Sequence, residues 1–399
     1  MSVTADTSAS LESLLASREI IVFCGSGGVG KTTTAAATAL EAATRTSGRV
    51  LVLTIDPARR LADALGLDGI GNIERRVPED ALRAAGIETS GELWAAMLDT
   101  KASWDDLVLR HAPDEETAYR ILDNRMYATV TGRFVQSHDY IAMERLYDLH
   151  ASGRYDVIIV DTPPTRNAID FLEAPARMAE FFGGRLLRWL TAPYRVGGRR
   201  GARLIHFASR PFYQLADRVL GKQFLQDIAE FFLNFQAMYD GFNARAQAVQ
   251  QLLHERRTGF VVVTTLESSP LREAQFFCHA LEEQRFHLDA LVLNRVLPSW
   301  LCEPSALAAA AQLLDRALPV AEDLVTTGAS ALSDVERTAR VLLAAASMFR
   351  DYSALAEQEA QRRDELSSAR SVVATVPILD EDVHDIAGLH RIGKELFTT

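Results

Sequence analysis

The sequence contains very little cysteine. Its 399 residues include three cysteines, Cys24, Cys278 and Cys302. Because they are odd in number and far apart, we expect neither a disulfide framework nor a C-x-x-C zinc site. This sparse usage suits a protein of a reducing compartment.

Long apolar runs and an excess of positive charge are missing as well. No run approaches the roughly 20 apolar residues that a membrane-spanning helix needs, and residues 1–20 lack the pattern of a secretory signal. The formal net charge of −11 argues against a general nucleic-acid binder. With 48% hydrophobic residues, the chain can build a sizeable core. We expect a cytoplasmic protein.

Short β-branched runs separated by helical patterns dominate the chain. Continuous apolar runs are typical of strands buried on both faces of a parallel sheet. They predict an α/β fold with a doubly wound, mostly parallel sheet. Six clear runs lie at 19–25, 49–57, 155–164, 259–267, 289–298 and 371–379. A weaker seventh run lies at 92–99.

The uneven spacing of these runs predicts the domain organisation. Residues 1–17 read as a flexible N-terminus, and 18–169 together with 256–399 as one α/β domain. Between them, 170–255 shows no clear strand signal and carries apolar residues at helical spacing, so it predicts an inserted helical subdomain. A further helical stretch covers 100–150.

A glycine-rich segment between the first strand and a helix-forming stretch carries the chemistry. It fits G-x-x-x-x-G-K-[ST], in which backbone N–H groups and the helix N-terminus surround phosphates. The motif predicts a P-loop NTPase, with 18–169 and 256–399 as its nucleotide-binding α/β domain. The lysine of this motif reaches the β- and γ-phosphates of the nucleotide, and the hydroxyl after it ligates Mg²⁺. The predicted ATP- and Mg²⁺-binding residues of the loop are Gly25, Ser26, Gly27, Gly28, Val29, Gly30, Lys31, Thr32 and Thr33.

Two aspartates at strand ends are candidates for the same site. Asp161 closes a buried run, and we interpret it as a Mg²⁺ partner acting through water; capping the next turn is the alternative. Asp56 precedes Pro57 and fits a helix N-cap. At the end of a strand beside the loop, Asp56 could also orient or deprotonate the attacking water, or contact the metal.

The ordered motifs resemble those of a known family. "GSGGVGKTT", "TIDPARRLADALG", "DTPPTRNAIDFLEAP", "LVLNRVLP" and "VPILDEDVHDIAGL" follow one another as in the ATPases that drive arsenical pumps or target tail-anchored membrane proteins. The chain is most similar to single-domain actinobacterial members, called anion-transporting ATPases. The likeness covers roughly 18–399.

This resemblance implies further roles. Asp56 would position the attacking water as part of a first switch segment. Asp161 would be the first residue of a second switch segment. Asn294 would bond the adenine with Pro377 near the base, and Glu267 matches an acidic residue that reaches nucleotide across a dimer. The family works as dimers with facing nucleotide sites, and its targeting branch forms an apolar client groove from helical inserts.

The sequence departs from the family pattern at the loop. Relatives carry a second lysine where this chain has Ser26, and a Gly-His pair where it has Arg166-Asn167. The missing lysine predicts slow hydrolysis by the chain alone, or a heterodimer with a paralogue that keeps it. A nearby cation (Arg59, Arg60 or Arg166) could instead compensate.

The insert is open to two interpretations. Aromatic residues at 231, 232, 235, 239 and 242 could form its own core or a groove for a hydrophobic client helix. Eight arginines between 185 and 218 could be a solvated surface or contact an anionic membrane from the cytoplasmic side. Three functions therefore stay open: client targeting, the ATPase subunit of a membrane anion transporter, and a weakly hydrolysing regulatory partner.

Overall fold

A computed structural model of the 399-residue chain places the predicted strands in one sheet. The ranges that the structure describes, to which every structural statement below applies, are 11–55, 60–67, 71–127, 135–163, 173–174, 177, 231, 238–329, 331, 333–369 and 373–398.

Eight strands form the sheet, in the order β3-β4-β2-β5-β1-β6-β7-β8. All neighbours are parallel except the two-residue β3, which is antiparallel to β4. The mostly parallel α/β fold and the weaker seventh strand at 92–99 are thus confirmed, and β3 is an edge strand that no pattern indicated. The strands are β1 (Ile20–Cys24), β2 (Arg49–Thr54), β3 (Arg75–Arg76), β4 (Glu92–Met97), β5 (Val157–Asp161), β6 (Thr258–Thr264), β7 (Leu288–Val296) and β8 (Val373–Pro377).

Helices cover both faces of the sheet and divide its apolar side chains between two cores. The alternation of side chains along each strand sends successive residues to opposite faces, so both faces of the central strands are buried. The helices are α1 (Leu11–Ser17), α2 (Lys31–Arg45), α3 (Arg60–Ala64), α4 (Glu79–Ala84), α5 (Thr100–His111), α6 (Glu115–Leu122), α7 (Val135–Ala151), α8 (Tyr239–His254), α9 (Ser268–Glu283), α10 (Pro304–Thr326), α11 (Val335–Ala369) and α12 (Ile386–Phe397).

Helix α2 starts at the glycine-rich loop and lies in the centre of one core. Its first helical residue is Lys31, and ten of the eleven residues from 34 to 44 are buried. The buried Glu41 accepts a hydrogen bond from Arg45 at 3.2 Å, and its other oxygen lies 2.7 Å from Nδ1 of His390 on α12. The phosphate-loop helix is therefore fixed against the C-terminal helix.

The prediction of a flexible segment over 1–17 is wrong for its second half. Leu11–Ser17 form α1, and Leu11, Leu14 and Leu15 are buried in the core that also holds α2. Spacings of three and one along a helix place these leucines on one face. Residues 1–10 lie outside the described ranges.

The insert predicted at 170–255 is described mainly at its end, where α8 packs on α7. Phe231 and Met238 are fully buried in the main core, which favours the packing interpretation for these two side chains. Side chains at 232, 235, 239 and 242, and the arginines between 185 and 218, lie outside the described residues.

A buried charge network fixes α8 in place. Arg245 of α8 donates to Glu144 at 3.0 Å and to Asp148, both on α7, and Glu144 also accepts from Tyr140 at 2.6 Å. Arg110 of α5 bridges to Asp148 at 2.7 Å. Since Glu144 is 1% exposed, its charge depends on these partners for compensation.

The connection from β7 to β8 forms a helical hairpin that the sequence did not predict. Helix α10 has 23 residues and bends where Arg316 leaves helical geometry, close to Pro319. Helix α11 has 35 residues and includes the charged stretch 357–370 almost entirely. Within the ranges given above, every helix is too short or too polar to span a lipid bilayer.

Candidate functional site

The glycine-rich loop lies at the carboxyl edge of the sheet, directly after the central strand β1. Gly25 has a φ of +149°, and a Cβ at this position would stand 2.1 Å from the carbonyl oxygen of Val263 on β6. Only glycine fits such an approach between two backbones. The loop is therefore held against β6 before it reaches α2.

Lys31 points back along the loop. Its Nζ donates to the carbonyl oxygen of Ser26 at 2.9 Å, and the residue is 6% exposed. The loop thus curls around the ammonium group at the start of α2, where the helix dipole adds partial positive charge. This arrangement concentrates positive potential at a site suited to an anion.

Ser26, at the position of the missing lysine, has a buried hydroxyl. Among the described residues its Oγ has no hydrogen-bond partner. A buried donor without a partner is costly, typically about 1–3 kcal/mol. A polar ligand seated in the loop would satisfy this hydroxyl, which agrees with phosphate binding there.

Asp161 lies beside the loop, at the end of β5. It is fully buried, and its Oδ2 accepts a hydrogen bond from the Thr54 hydroxyl at 2.9 Å. The next residue, Thr162, donates through its hydroxyl to the carbonyl oxygen of Phe23 on β1 at 2.7 Å. The ends of β1, β2 and β5 are joined by these bonds, so the carboxylate is fixed close to the loop.

Asn294 contacts the loop from β7. Its Nδ2 donates to the carbonyl oxygen of Val29 at 2.8 Å, and its Oδ1 accepts from the backbone N–H of Arg295 at 3.0 Å. A Cβ on Gly30, whose φ is +93°, would lie 2.1 Å from that Nδ2. Asn294 therefore supports the second half of the loop, and its contact with adenine stays a prediction.

A cavity of about 560 Å³ opens next to this asparagine. It is lined by the loop (Gly30, Thr33), by Asn294 and by Pro377, which sequence analysis had assigned to one nucleotide site. Arg60, one of the three cations named as possible compensation for Ser26, also lines it. The structure thus brings these separate segments around a space suited to a nucleoside.

Glu267 is exposed at the N-terminus of α9, directly after β6. Arg362 of α11 holds the same turn, with its guanidinium bonded to the carbonyl oxygen of Leu266 at 2.5 Å. Glu267 is therefore on the surface at the correct edge of the sheet, where it could meet a partner chain. Its contact with nucleotide across a dimer remains untested.

Several predicted residues cannot be placed. Asp56, Arg59 and the Arg166-Asn167 pair lie outside the described residues, so the water-positioning and metal roles of Asp56 stay predictions. Thr32 is half-buried at the start of α2. That location is compatible with its predicted Mg²⁺ role.

Sequence reasoning missed three residues of this edge. Thr54 donates a hydrogen bond to Asp161. The sequence feature that could have indicated this role is a hydroxyl residue at the last position of the "RVLVLT" strand. Arg295 lines the cavity with a φ of +59°, and nothing in "LNRV" indicated that backbone. Thr265 follows β6, and among the described residues its buried hydroxyl has no partner.

Cys24 ends β1 immediately before the loop. Burial raises the pKa of its thiol to about 12. The thiol is therefore neutral at physiological pH and acts as a small apolar side chain, not as a nucleophile or a metal ligand.

A larger cavity, of about 860 Å³, opens at the amino edge of the sheet. It is polar, and several arginines line it. Arg49 and Arg76 are paired with Glu92, and Arg154 with Glu74. Because these charges are already compensated and the loop is at the opposite edge, we assign the site to the smaller cavity.

The described residues fit Mg²⁺ and ATP. The loop provides two glycines, Gly25 and Gly30, at which a Cβ has no room, together with the buried Lys31 and a buried Ser26 hydroxyl that has no partner among the described residues. Carboxylate and hydroxyl oxygens, the ligands that Mg²⁺ prefers, are available from Asp161 and Thr32.

Comparison with known proteins gives the family. The model of the anion-transporting ATPases matches residues 18–318. A protein of Aquifex aeolicus is 25% identical over 296 residues, which is 70% of this chain and 63% of that protein. The ATPase GET3 of Eremothecium gossypii is 25% identical over 309 residues, 72% of this chain and 75% of its own.

An arsenical pump-driving ATPase of Acidiphilium multivorum is 26% identical over 291 residues, covering 73% of this chain and 41% of that protein. The matched region thus spans less than two thirds of the Aquifex and Acidiphilium proteins. The family model, in contrast, covers most of this sequence and includes the loop, Asp161 and Asn294. The chain belongs to the anion-transporting ATPase family.

Proposed function

We propose that the chain binds ATP with Mg²⁺ and hydrolyses it, and that a dimer couples this cycle to the handling or targeting of a hydrophobic membrane-protein client. The observation that carries the ATP part is the meeting of Lys31, Asp161 and Asn294 around one glycine loop. The names of the GET3 and arsenical pump-driving relatives support ATP hydrolysis.

Each residue would have a distinct task. Lys31 would bind the β- and γ-phosphates, and bound Mg²⁺ neutralises charge on them during transfer. Thr32 would ligate the ion and Asp161 would hold its water shell, while Asp56 would orient the attacking water. Asn294 would recognise adenine from its position on β7, beside the loop.

The client part of the proposal rests on the insert at 170–255 and on the likeness to ATPases that target tail-anchored proteins. Its arginines between 185 and 218 would bring the chain to an anionic membrane. Binding to phosphatidylserine vesicles that falls with salt and with arginine replacement supports this. Binding that changes with neither salt nor arginine replacement contradicts it.

The first alternative is the ATPase subunit of a membrane anion transporter. The family description and the Acidiphilium relative favour it. Purification of the full chain under mild detergent discriminates between the two. Recovery of a membrane permease supports the transporter, whereas recovery of tail-anchored helices supports targeting.

The second alternative is a weakly hydrolysing partner in a heterodimer. Ser26 specifically favours it, because a cation supplied by a neighbouring subunit contributes about 10³–10⁵-fold to phosphoryl transfer. Arg60, which lines the cavity, is the described candidate for compensation within the chain.

Turnover of purified protein tests these proposals. We expect slow ATP hydrolysis by the wild type, faster hydrolysis by Ser26→Lys, and stimulation by a paralogue that carries the lysine. Arg60→Ala should lower turnover further if Arg60 compensates. Brisk wild-type turnover, or no gain in Ser26→Lys, contradicts the assigned role of position 26.

A further inference from the structure

A bulge interrupts the pairing of β7 with β8 beside the phosphate loop. Between the pairs Leu293–Thr375 and Val296–Pro377, β7 has two residues and β8 has one. One of the two on β7 is Arg295, whose φ is +59°. Bulges break the regular alternation of side chains along a strand and are frequent next to active sites, where they redirect a side chain. The bulge therefore sets the direction in which the Arg295 side chain leaves β7.

The left-handed backbone of Arg295 is unfavourable for an arginine. This region favours glycine, because a Cβ approaches the following carbonyl oxygen. Two bonds hold the bulge in place: the Arg295 N–H donates to Oδ1 of Asn294 at 3.0 Å, and the Leu297 N–H donates to Glu359 on α11 at 2.9 Å. Such strained conformations cluster at ligand sites. An arginine at a position suited to glycine thus indicates a use for its side chain.

The guanidinium of Arg295 is available for a ligand. The residue is exposed and lines the cavity of about 560 Å³ beside the loop. Glu381 and Asp382 line the same cavity, but within the described ranges the Arg295 guanidinium forms neither an ion pair nor a hydrogen bond. Arg60 also lines the cavity, but it starts α3 after β2, which is four places from β7 in the sheet. Arg295 is therefore a cation on the β8 side of the cavity.

The walls on this side suit a flat, weakly polar group. Residues 376–379, at the end of β8, line the cavity with apolar side chains, and no aromatic side chain is found among its described lining residues. These aliphatic groups can cover one face of a nucleotide base. A guanidinium is planar and stacks on aromatic faces through cation–π attraction, so it suits the other face. The two carboxylates disfavour phosphates at this end of the cavity.

We propose that Arg295 is a nucleotide-binding residue that stacks its guanidinium on one face of the base, opposite residues 376–379. The inference rests on the proposed ATP function and adds to it a contact that the phosphate loop and Asn294 do not supply. Stacking tolerates any base, because every base has a π-face. Arg295 would therefore add affinity for the nucleoside and leave the choice of adenine to Asn294.

Titration calorimetry of the full chain with ATP and Mg²⁺ tests the contact. Arg295→Gly removes the guanidinium and gives the bulge the residue that suits its φ, so this variant should keep the wild-type thermal stability. We expect its dissociation constant for ATP to rise about tenfold. Wild-type affinity in this variant overturns the inference.

Arg285→Gly is the matched control. Arg285 is also exposed and also has a positive φ, of +62°, but it follows α9 and precedes β7, at the edge of the sheet opposite the loop. This variant relieves the same backbone strain away from the cavity, and it should bind ATP as the wild type does. Equal losses of affinity in the two glycine variants would make the effect one of the backbone and overturn the inference.

Arg295→Lys separates stacking from charge. Lysine keeps the positive charge and the backbone strain but lacks the planar group. Stacking predicts that Arg295→Lys loses most of the affinity that Arg295→Gly loses. Wild-type affinity in Arg295→Lys would show a contact made by charge alone, which overturns the stacking.

Inorganic tripolyphosphate, added as a competitor of ATP, separates the base from the phosphates. It carries three phosphates and no base, so its inhibition constant should be the same for the wild type and for Arg295→Gly. Equal weakening of ATP and tripolyphosphate would place the guanidinium on the phosphates and overturn the inference while ATP binding stands. Absence of ATP binding by the wild type would instead overturn the proposed function together with this inference.

Discussion

The phosphate loop and the α10–α11 hairpin leave the same edge of the sheet but are built in opposite ways. In the loop, backbone and side-chain atoms are fixed by contacts such as Lys31 to Ser26 and Asn294 to Val29. In the hairpin, alanines form the seam and large apolar side chains such as Met348 are outside. The loop is organised before any ligand arrives, whereas the hairpin has surface available for another molecule.

This difference predicts where substitutions act. A change at Gly25, Lys31 or Asn294 should alter chemistry or fold, because each of these residues closely approaches or bonds to a fixed backbone atom. A change on the exposed side of the hairpin should leave the stability of the fold nearly unchanged. The predictions below test that contrast, from the largest expected effect to the smallest.

Lys31→Ala should have the largest effect. Removal of an electrostatic contact to the transferring phosphoryl group should lower ATP turnover by about 10²–10³-fold. Steady-state hydrolysis at saturating Mg²⁺ measures this, and thermal unfolding is the control, with little change expected. Turnover equal to the wild type would place phosphate binding elsewhere.

Gly25→Ala should destabilise the fold by about 3 kcal/mol, because backbone strain and a clash with the fixed carbonyl of Val263 add together. Gly28→Ala is the matched control: its φ is +80° but no atom lies within 4 Å of the added Cβ, so about 1 kcal/mol is expected. Urea unfolding of both variants measures the difference. Equal losses would refute the close approach of the loop to β6.

Ala321→Leu should destabilise the hairpin's seam by about 1–3 kcal/mol through overpacking, since Ala321 is fully buried. In contrast, Met348→Ala should change the unfolding free energy by no more than about 0.5 kcal/mol, since Met348 is exposed on α11. Urea unfolding of both variants measures the difference. A costly Met348→Ala would mean that this side chain packs inside the chain.

The smallest effect concerns pH, at the charge network that joins α5, α7 and α8. Burial, with Arg245 adding to it, lowers the pKa of His111 in the folded chain. Below about pH 6.5, the ordinary value, the unfolded chain therefore binds the proton more readily, and stability falls as pH falls. His111→Gln should lose less thermal stability between pH 7.5 and 5.5 than the wild type does.

His279→Gln, a change at an exposed histidine on α9, is the control for that measurement and should behave as the wild type. If His111→Gln and the wild type lose equal stability on acidification, His111 does not carry the effect. The partial exposure of His111 limits its size.

The sequence predicted the strands and the position of the loop between β1 and α2, because both depend on local patterns. Gly30 and Lys31 are part of the G-x-x-x-x-G-K-[ST] motif, and the strand that ends at Asp161 is itself a continuous apolar run. Long-range pairs were harder to predict. Nothing local indicated that Asn294 supports Val29 or that Thr54 holds Asp161. The partners of the first bond are separated by 265 positions in the sequence, and those of the second by 107.

The errors have a similar physical cause. Leu11–Ser17 were predicted as flexible because a single short helix carries too few residues for a periodic signal, yet three leucines bury it against α2. The hairpin was missed because a helical pattern does not show which other helix its apolar face packs against. In both regions tertiary contacts decide the structure.

The measurement that tests the central claim most directly is a calorimetric titration of ATP with Mg²⁺ into the purified wild-type chain. The arrangement of Lys31, Asp161 and Asn294 predicts saturable binding of one ATP per chain, with ADP competing for the same site. Absence of binding at millimolar ATP would contradict the assignment of a nucleotide site to this edge of the sheet.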